Sequence, residues 1–176
     1  MRIDKLQQEF ELKIRWSVFP LHPNTPDEGM SLDDLFAGQM DIKAMLSRLK
    51  QVAAELELPF GNRSHTYNSR QAQELGKWSE ESGKGEAFHR AVYRAYFADG
   101  AIISRPEVLT TIAESIGLDP GGASQVLNDG RYAATVNADW QRANALAVTA
   151  VPTALYQDRR LVGYQSYDAF RQLITG

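Results

Sequence analysis

The stretch that decides the fold reads Ala150-Val151-Pro152-Thr153-Ala154-Leu155-Tyr156. Proline cannot donate a ladder hydrogen bond, so within sheets it is confined to edge strands, bulges and first strand positions. Pro152 fits the first position of a short strand, because β-branched and apolar residues follow it. A polar segment, residues 157–160, then precedes a second β-like run at residues 161–164. The pattern therefore predicts a hairpin that the chain enters through a proline.

A further strand is predicted near the N-terminus, at residues 11–19. Its apolar residues alternate with polar ones and would share one face: Leu12, Ile14, Trp16 and Val18. A period of two is typical of a half-buried strand. The residues before it, 2–10, instead have apolar side chains at helical spacing and predict a short amphipathic helix.

The long middle of the chain has helical spacing. Ser31, Asp41 and Asn68 each precede an apolar stripe of helical period and are candidate N-cap residues. The chain has no internal repeat and no linker-like composition, so this part is expected to be an insertion into one fold. The predicted organisation is a β-containing part formed by residues 1–30 and 148–176, with an inserted helical domain at residues 31–147.

The composition of the chain limits the classes of function and partner that it can have. A chain of 176 residues can bury a core, and a net charge of -3 gives no electrostatic signal for nucleic acid. No apolar run approaches the roughly 18 residues of a membrane span, and the first residues lack the apolar region of a signal peptide. We therefore expect a cytoplasmic protein with no nucleic-acid and no membrane partner.

The chain contains no cysteine. These residues can therefore form no disulfide, no thiolate metal site and no thiol nucleophile. The histidines His22, His65 and His89 are too scattered to predict a metal site, and no motif predicts a cofactor. His22, in a proline-rich loop, either acts as an acid–base group near neutral pH or stabilises its turn.

The proline-led hairpin, followed by a helix that Ser166 would cap, resembles the cis-proline end of a thioredoxin-fold protein. Three further segments narrow the resemblance: Arg15-Trp16-Ser17-Val18-Phe19-Pro20-Leu21-His22-Pro23, Asn68-Ser69-Arg70 and Ala95-Tyr96-Phe97-Ala98-Asp99-Gly100. With these, the chain resembles the DsbA-like thiol-disulfide oxidoreductases of the FrnE type. The fold that this implies is α/β and thioredoxin-like, with an inserted helical domain.

The resemblance also implies a binding site and a class of partner. The proline loop, Val151, Pro152 and Thr153, would line a cleft together with three residues near the N-terminus: Phe19, Leu21 and His22. Its backbone would pair with an extended protein substrate or receive a thiol compound. The resemblance implies a cis bond before Pro152, whereas the sequence alone leaves an ordinary trans proline on an edge strand open. No catalytic residue is predicted.

This chain departs from the family at its start. The family opens with a strand, a Cys-x-x-Cys motif and a long helix, and these residues do not encode that segment. The family's first strand lies in the middle of the sheet, so its loss would leave rows of unpaired backbone groups, at about 1 to 3 kcal/mol for each buried one. Either residues 11–19 pair directly with residues 152–156, or a second copy of the chain covers the exposed sheet edge as a homo-oligomer.

Several functional interpretations remain open, so the chain's status as an enzyme is not decided. In the first, the sequence is a truncated thiol-disulfide oxidoreductase, redox-inactive as it stands. In the second, it is a non-catalytic binding or structural protein that keeps the cis-proline cleft, with a homodimer as one form. A weaker third follows the related glutathione-dependent isomerases, in which a serine replaces the cysteine, although the segment for that serine is also missing here.

Overall fold

The computed structural model describes residues 2–176. The helices are α1 Arg2–Phe10, α2 Leu32–Leu35, α3 Ile42–Glu55, α4 Arg70–Glu81, α5 Gly85–Phe97, α6 Pro106–Ser115, α7 Pro120–Asp129, α8 Ala133–Ala145 and α9 Tyr167–Thr175. The strands are β1 Met30–Ser31, β2 His65–Thr66, β3 Thr153–Tyr156 and β4 Arg159–Val162.

The chain divides into two compact units. Unit 1 consists of Met1–Leu21 and Asn137–Gly176, and unit 2 of His22–Val136. The second division falls inside α8. The structure divides after residues 21 and 136, whereas the predicted domain bounds fall after residues 30 and 147. The predicted bounds therefore lie 9 (30 minus 21) and 11 (147 minus 136) residues further along the chain. That assignment of domains stays a prediction.

Unit 2 is helical and has a closely packed core. Its helices α4 to α7 bury a continuous apolar cluster that includes Ala72, Leu75, Phe88, Leu109, Ala113, Ala123 and Val126. Leu75 and Leu109 are completely buried. A short antiparallel pair joins β1 to β2, with Met30 opposite Thr66. Burial of these side chains is the main source of stability in this unit, since burying one large aliphatic residue is worth about 1.5 to 3 kcal/mol.

The polar residues at the helix starts explain where several helices begin. The Ser31 hydroxyl accepts a hydrogen bond from the amide of Asp34 at 3.0 Å, and Asp41 caps α3 in the same way. These two caps are as predicted. The N-cap position of α4 is Ser69, whose side chain makes no capping hydrogen bond. The side-chain oxygen of Asn68 instead accepts from the amide of Arg70 at 2.9 Å, so Asn68 pairs an amide of the first turn.

Unit 1 contains the predicted hairpin. Strands β3 and β4 are antiparallel, with Thr153 opposite Val162 and Tyr156 opposite Arg159. Gln157 takes a positive φ of 56° in the turn. Strand β4 begins two residues earlier than the run at 161–164 predicts, because this tight turn leaves no room for a longer polar connection. The C-terminal helix α9 packs against β4 and α1.

The predicted strand at residues 11–19 is wrong. Glu11 ends α1 with a positive φ of 50°, and residues 12–20 have no regular secondary structure. Direct pairing with residues 152–156 is wrong as well, since in residues 2–176 β3 pairs with β4 alone. Alternation makes a segment amphipathic, but a strand forms only where a neighbouring strand takes its backbone hydrogen bonds. No such neighbour lies beside this segment in the part of the chain that the structure describes.

The apolar side chains of unit 1 are poorly covered. Among its described residues, only Leu6 and Ala143 are buried apolar residues. Trp16 is 49% exposed, and the hairpin side chains Leu155 and Val162 are 41% and 43% exposed. Several large apolar side chains of this unit are therefore in contact with solvent.

Candidate functional site

The proline loop is held by hydrogen bonds on both sides of the proline. The Val151–Pro152 peptide bond is cis. The Thr153 hydroxyl donates to the carbonyl oxygen of Ala150 at 2.7 Å. The amide of Gly163 donates to the carbonyl oxygen of Pro152 at 2.8 Å, which extends the hairpin ladder by one residue beyond β3. These two bonds fix the loop at the entrance of the hairpin.

The residue before the proline is open to solvent. Val151 is 44% exposed, and Pro152 is also exposed. Within residues 2–176, neither the amide nor the carbonyl group of Val151 makes a hydrogen bond. A donor and an acceptor that are both unpaired on one residue can pair with the backbone of an extended peptide, as at the edge of a sheet.

Two of the predicted site residues lie at the end of the first segment of unit 1. The amide of Leu21 donates to the carbonyl oxygen of Phe19 at 3.1 Å, which closes a tight turn. Leu21 is 51% exposed. No hydrogen bond in the described residues connects Phe19 or Leu21 with the loop at residues 151–153. Their membership of one site therefore remains a prediction.

His22 is the first residue of unit 2. Its ring lies edge-on to the ring of Phe36, with 6.2 Å between the centroids. Its carbonyl oxygen accepts from the amide and the hydroxyl of Thr25, at 3.2 and 2.9 Å. These contacts agree with the turn-stabilising interpretation of His22, and the acid–base role stays a prediction.

Asp139, which no sequence argument singled out, is a buried carboxylate in unit 1. It lies on α8 and is 1% exposed. One carboxylate oxygen accepts from the amide of Val18 and the other from the guanidinium of Arg15, each at 3.1 Å. A buried aspartate is nearly always paired, and this one fastens the irregular segment to α8. The available signal was an acidic residue three positions after Val136, on the apolar stripe of a helix.

Several titratable groups of unit 2, among them Tyr132 and His89, have shifted pKa values. Burial, helped by a hydrogen bond from the Tyr132 hydroxyl to Glu81 at 2.5 Å, raises the pKa of Tyr132 to about 12. Burial lowers the pKa of His89, and the nearby Glu80 carboxylate opposes that shift. In the described chain, no three histidine, aspartate or glutamate side chains converge to hold a metal ion. None of its helices is long and apolar enough to cross a membrane.

A comparison with family models agrees with this hairpin-and-helix arrangement. The model for the DSBA-like thioredoxin domain matches residues 1–175. This chain belongs to the DSBA-like thioredoxin family. The DSBA-like fold accounts for the hairpin and the terminal helix that follow the helical part of the chain.

Solved structures and a curated protein resemble this DSBA-like chain. SCO1869 from Streptomyces coelicolor, described as a probable DsbA oxidoreductase, has a TM-score of 0.89 and 26% identity, covering 99% of this chain and 80% of that one. A 2-hydroxychromene-2-carboxylate isomerase has a TM-score of 0.76 with 98% and 83% coverage, and its 21% identity shows the fold alone. Uncharacterized protein YwbO of Bacillus subtilis is 26% identical over 170 residues, which are 94% of this chain and 82% of YwbO.

Proposed function

We propose that residues 1–176 form the substrate-binding scaffold of a thiol-disulfide oxidoreductase of the FrnE type, and that they cannot perform dithiol exchange themselves. The observation that carries the proposal is the match of the DSBA-like family to residues 1–175 of a sequence without cysteine. In dithiol exchange a thiolate attacks a disulfide sulfur, and a second thiol resolves the mixed disulfide. Hydroxyl groups cannot replace this pair, because they form no disulfide.

The proline loop is the proposed place for the substrate backbone. The amide and carbonyl of the exposed Val151 make no hydrogen bond in the described residues, and we assign them to an extended chain, while Pro152 and Thr153 keep the loop in place. The exposed Leu21 adds apolar contact area, with Phe19 as its neighbour in the turn. A protein substrate would gain affinity from main-chain hydrogen bonds and from apolar side-chain contacts.

The proposal also includes His22 as a residue of the binding site and the cytoplasm as the cellular location. His22 is included because it follows Leu21 directly in the sequence. A cytoplasmic location, with a protein or thiol compound as the partner, rests on composition and on the resemblance. Neither point enters the test of dithiol exchange.

An insulin-reduction assay tests the proposed inactivity. Dithiothreitol alone precipitates insulin slowly, and an active DsbA-like protein accelerates the precipitation. The 176-residue chain should leave the dithiothreitol rate unchanged, whereas a thioredoxin with its Cys-x-x-Cys pair, run beside it, should accelerate precipitation. Acceleration by the cysteine-free chain would show that the chemistry does not need the thiol pair.

A second candidate, a non-catalytic binding protein that forms a homodimer, is favoured by one observation. The described part of unit 1 exposes Trp16, Leu155 and Val162 and buries almost no apolar side chain. A second copy could cover this surface through a symmetric contact. Light scattering over a wide range of concentrations should then give a dimer mass, and replacing Leu155 with lysine should give a monomer. A wild-type chain that is monomeric at every concentration removes this candidate.

A further inference from the structure

A polar recess lies within unit 2, where the loop before β2 meets the end of α5. Its volume is about 70 Å³, which is well below the range for drug-sized ligands and leaves room for a small ligand only. Its walls include Arg63, Ser64, His65, Tyr67 and Tyr96. None of these residues belongs to the proline loop, so the proposed function does not use this recess.

The guanidinium of Arg63 is fixed in position by aromatic side chains. Its Nη2 donates a hydrogen bond to the hydroxyl of Tyr96. Its central carbon lies 4.3 Å from the centroid of the Tyr96 ring and 4.8 Å from that of Phe97. The Tyr96 hydroxyl is itself hydrogen-bonded to the Thr66 hydroxyl at 3.1 Å. A ligand would therefore meet a guanidinium that is already oriented, which reduces the entropy lost on binding.

Arg63 lacks partners for its remaining donors. Its Nε is buried and has no hydrogen-bond partner. Arginine carries five N–H donors, and in residues 2–176 no carboxylate forms an ion pair with Arg63. A ligand cannot reach Nε, which has essentially no accessible surface, but Nη1 also lacks a partner in the described residues and is not buried. An acceptor with negative charge at Nη1 would compensate the cation.

The end of α5 offers another partner for a cation, since a helix C-terminus carries a partial negative charge. However, backbone amides already occupy three of its last four carbonyl groups. The amide of Gly61 donates to Phe97 at 2.8 Å, that of Asp99 to Arg94 at 3.2 Å and that of Ala101 to Ala95 at 2.8 Å. Arg63 donates to none of these three oxygens. Capping of α5 therefore does not account for its free donors.

We propose that the recess binds a small organic carboxylate through Arg63. A guanidinium binds a carboxylate with two parallel N–H···O bonds, and the accessible, unpaired Nη1 supplies one of them. The rings of Tyr67 and Tyr96, which meet edge to face with centroids 6.5 Å apart, offer an apolar wall for the organic part. One guanidinium balances one negative charge, so a monocarboxylate fits better than a phosphate dianion.

Calorimetric titration with benzoate at constant ionic strength tests the proposal, with neutral benzamide as the matched ligand. Benzoate should bind and benzamide should not. Arg63→Gln should weaken benzoate binding by about tenfold or more, as expected for loss of a charge-assisted pair. Arg48→Gln removes an equal charge from an exposed position on α3 and should leave the affinity unchanged.

If Arg63→Gln fails to fold, nuclear magnetic resonance of the wild-type chain tests whether benzoate binds at Arg63. The Nε–H resonance of Arg63 is assigned by its disappearance in the conservative Arg63→Lys variant. In the wild-type chain this resonance should shift on addition of benzoate. An unshifted resonance overturns the proposal, as does equal affinity for benzoate and benzamide. Tighter binding of inorganic phosphate than of benzoate would overturn the assignment to a carboxylate.

Discussion

Replacing Asp139 with alanine should destabilise unit 1 through the loss of a single buried carboxylate. Asp139 lies on α8 and holds the amide of Val18 and the guanidinium of Arg15, each at 3.1 Å. The side chain of Asp139 is 2% exposed and that of Arg15 is 69% exposed. The two partners should therefore contribute unequally to the free energy of unfolding.

The expected magnitudes follow from this difference in exposure. Leaving the partly buried Val18 amide unpaired costs about 1 to 3 kcal/mol. The ion pair with the exposed Arg15 is screened by water and adds about 0 to 1 kcal/mol. Asp139→Ala should therefore cost about 1 to 4 kcal/mol, and Arg15→Ala less than about 1 kcal/mol. Asp139→Asn keeps an acceptor for the amide and should fall between the two.

Urea unfolding, followed by tryptophan fluorescence, measures these free energies. Trp140 is adjacent to Asp139 in the sequence and reports on this end of α8. The order expected for the loss of unfolding free energy is Asp139→Ala, then Asp139→Asn, then Arg15→Ala. A loss from Arg15→Ala equal to that from Asp139→Ala would refute the reasoning, because the ion pair and not the amide contact would then dominate. No loss from any variant would show that the irregular segment is not fastened at this point.

Two further predictions concern unit 2. The pKa of Tyr132 is raised from near 10 to about 12, so the folded state keeps the phenol protonated at a pH where the unfolded chain ionises. The resulting stabilisation is complete below pH 10 and should be lost between about pH 10 and 12. Unfolding of the wild type and of Tyr132→Phe over that range measures this loss, and an identical pH dependence in both would contradict the prediction. Gly61→Ala would place its Cβ 2.2 Å from the carbonyl oxygen of Ala98. The end of α5 must then shift, at a cost of about 1 to 3 kcal/mol in the free energy of unfolding. An unchanged melting temperature would contradict this close approach.

The sequence predicted those parts of the fold that depend on local signals. Apolar spacing and caps such as Ser31 and Asp41 mark helix starts whatever the tertiary context, because the cap binds amides three residues away. The hairpin was predicted because Pro152 and the polar turn are local too. The strand at residues 11–19 was not predicted correctly, because strand formation depends on a neighbour that no local pattern contains.

In the candidate sites, too, only the residues with a local sequence signal could be predicted. The proline loop follows from a few consecutive residues and from the family resemblance. Asp139 and Arg63 do not, since each acquires its meaning from residues far away in the sequence: Asp139 from Val18, and Arg63 from Tyr96. A charged residue within an apolar pattern is ambiguous until burial and partners are known.

The measurement that tests the scaffold proposal most directly is nuclear magnetic resonance of the isotope-labelled 176-residue chain titrated with a reduced, unfolded polypeptide. If the proline loop receives a substrate backbone, the amide resonances of Val151 and Thr153 should shift in a saturable way. The amides of Leu75 and Leu109, completely buried in unit 2, serve as internal controls and should not shift. A titration that perturbs other surfaces but leaves Val151 and Thr153 unchanged would contradict the account.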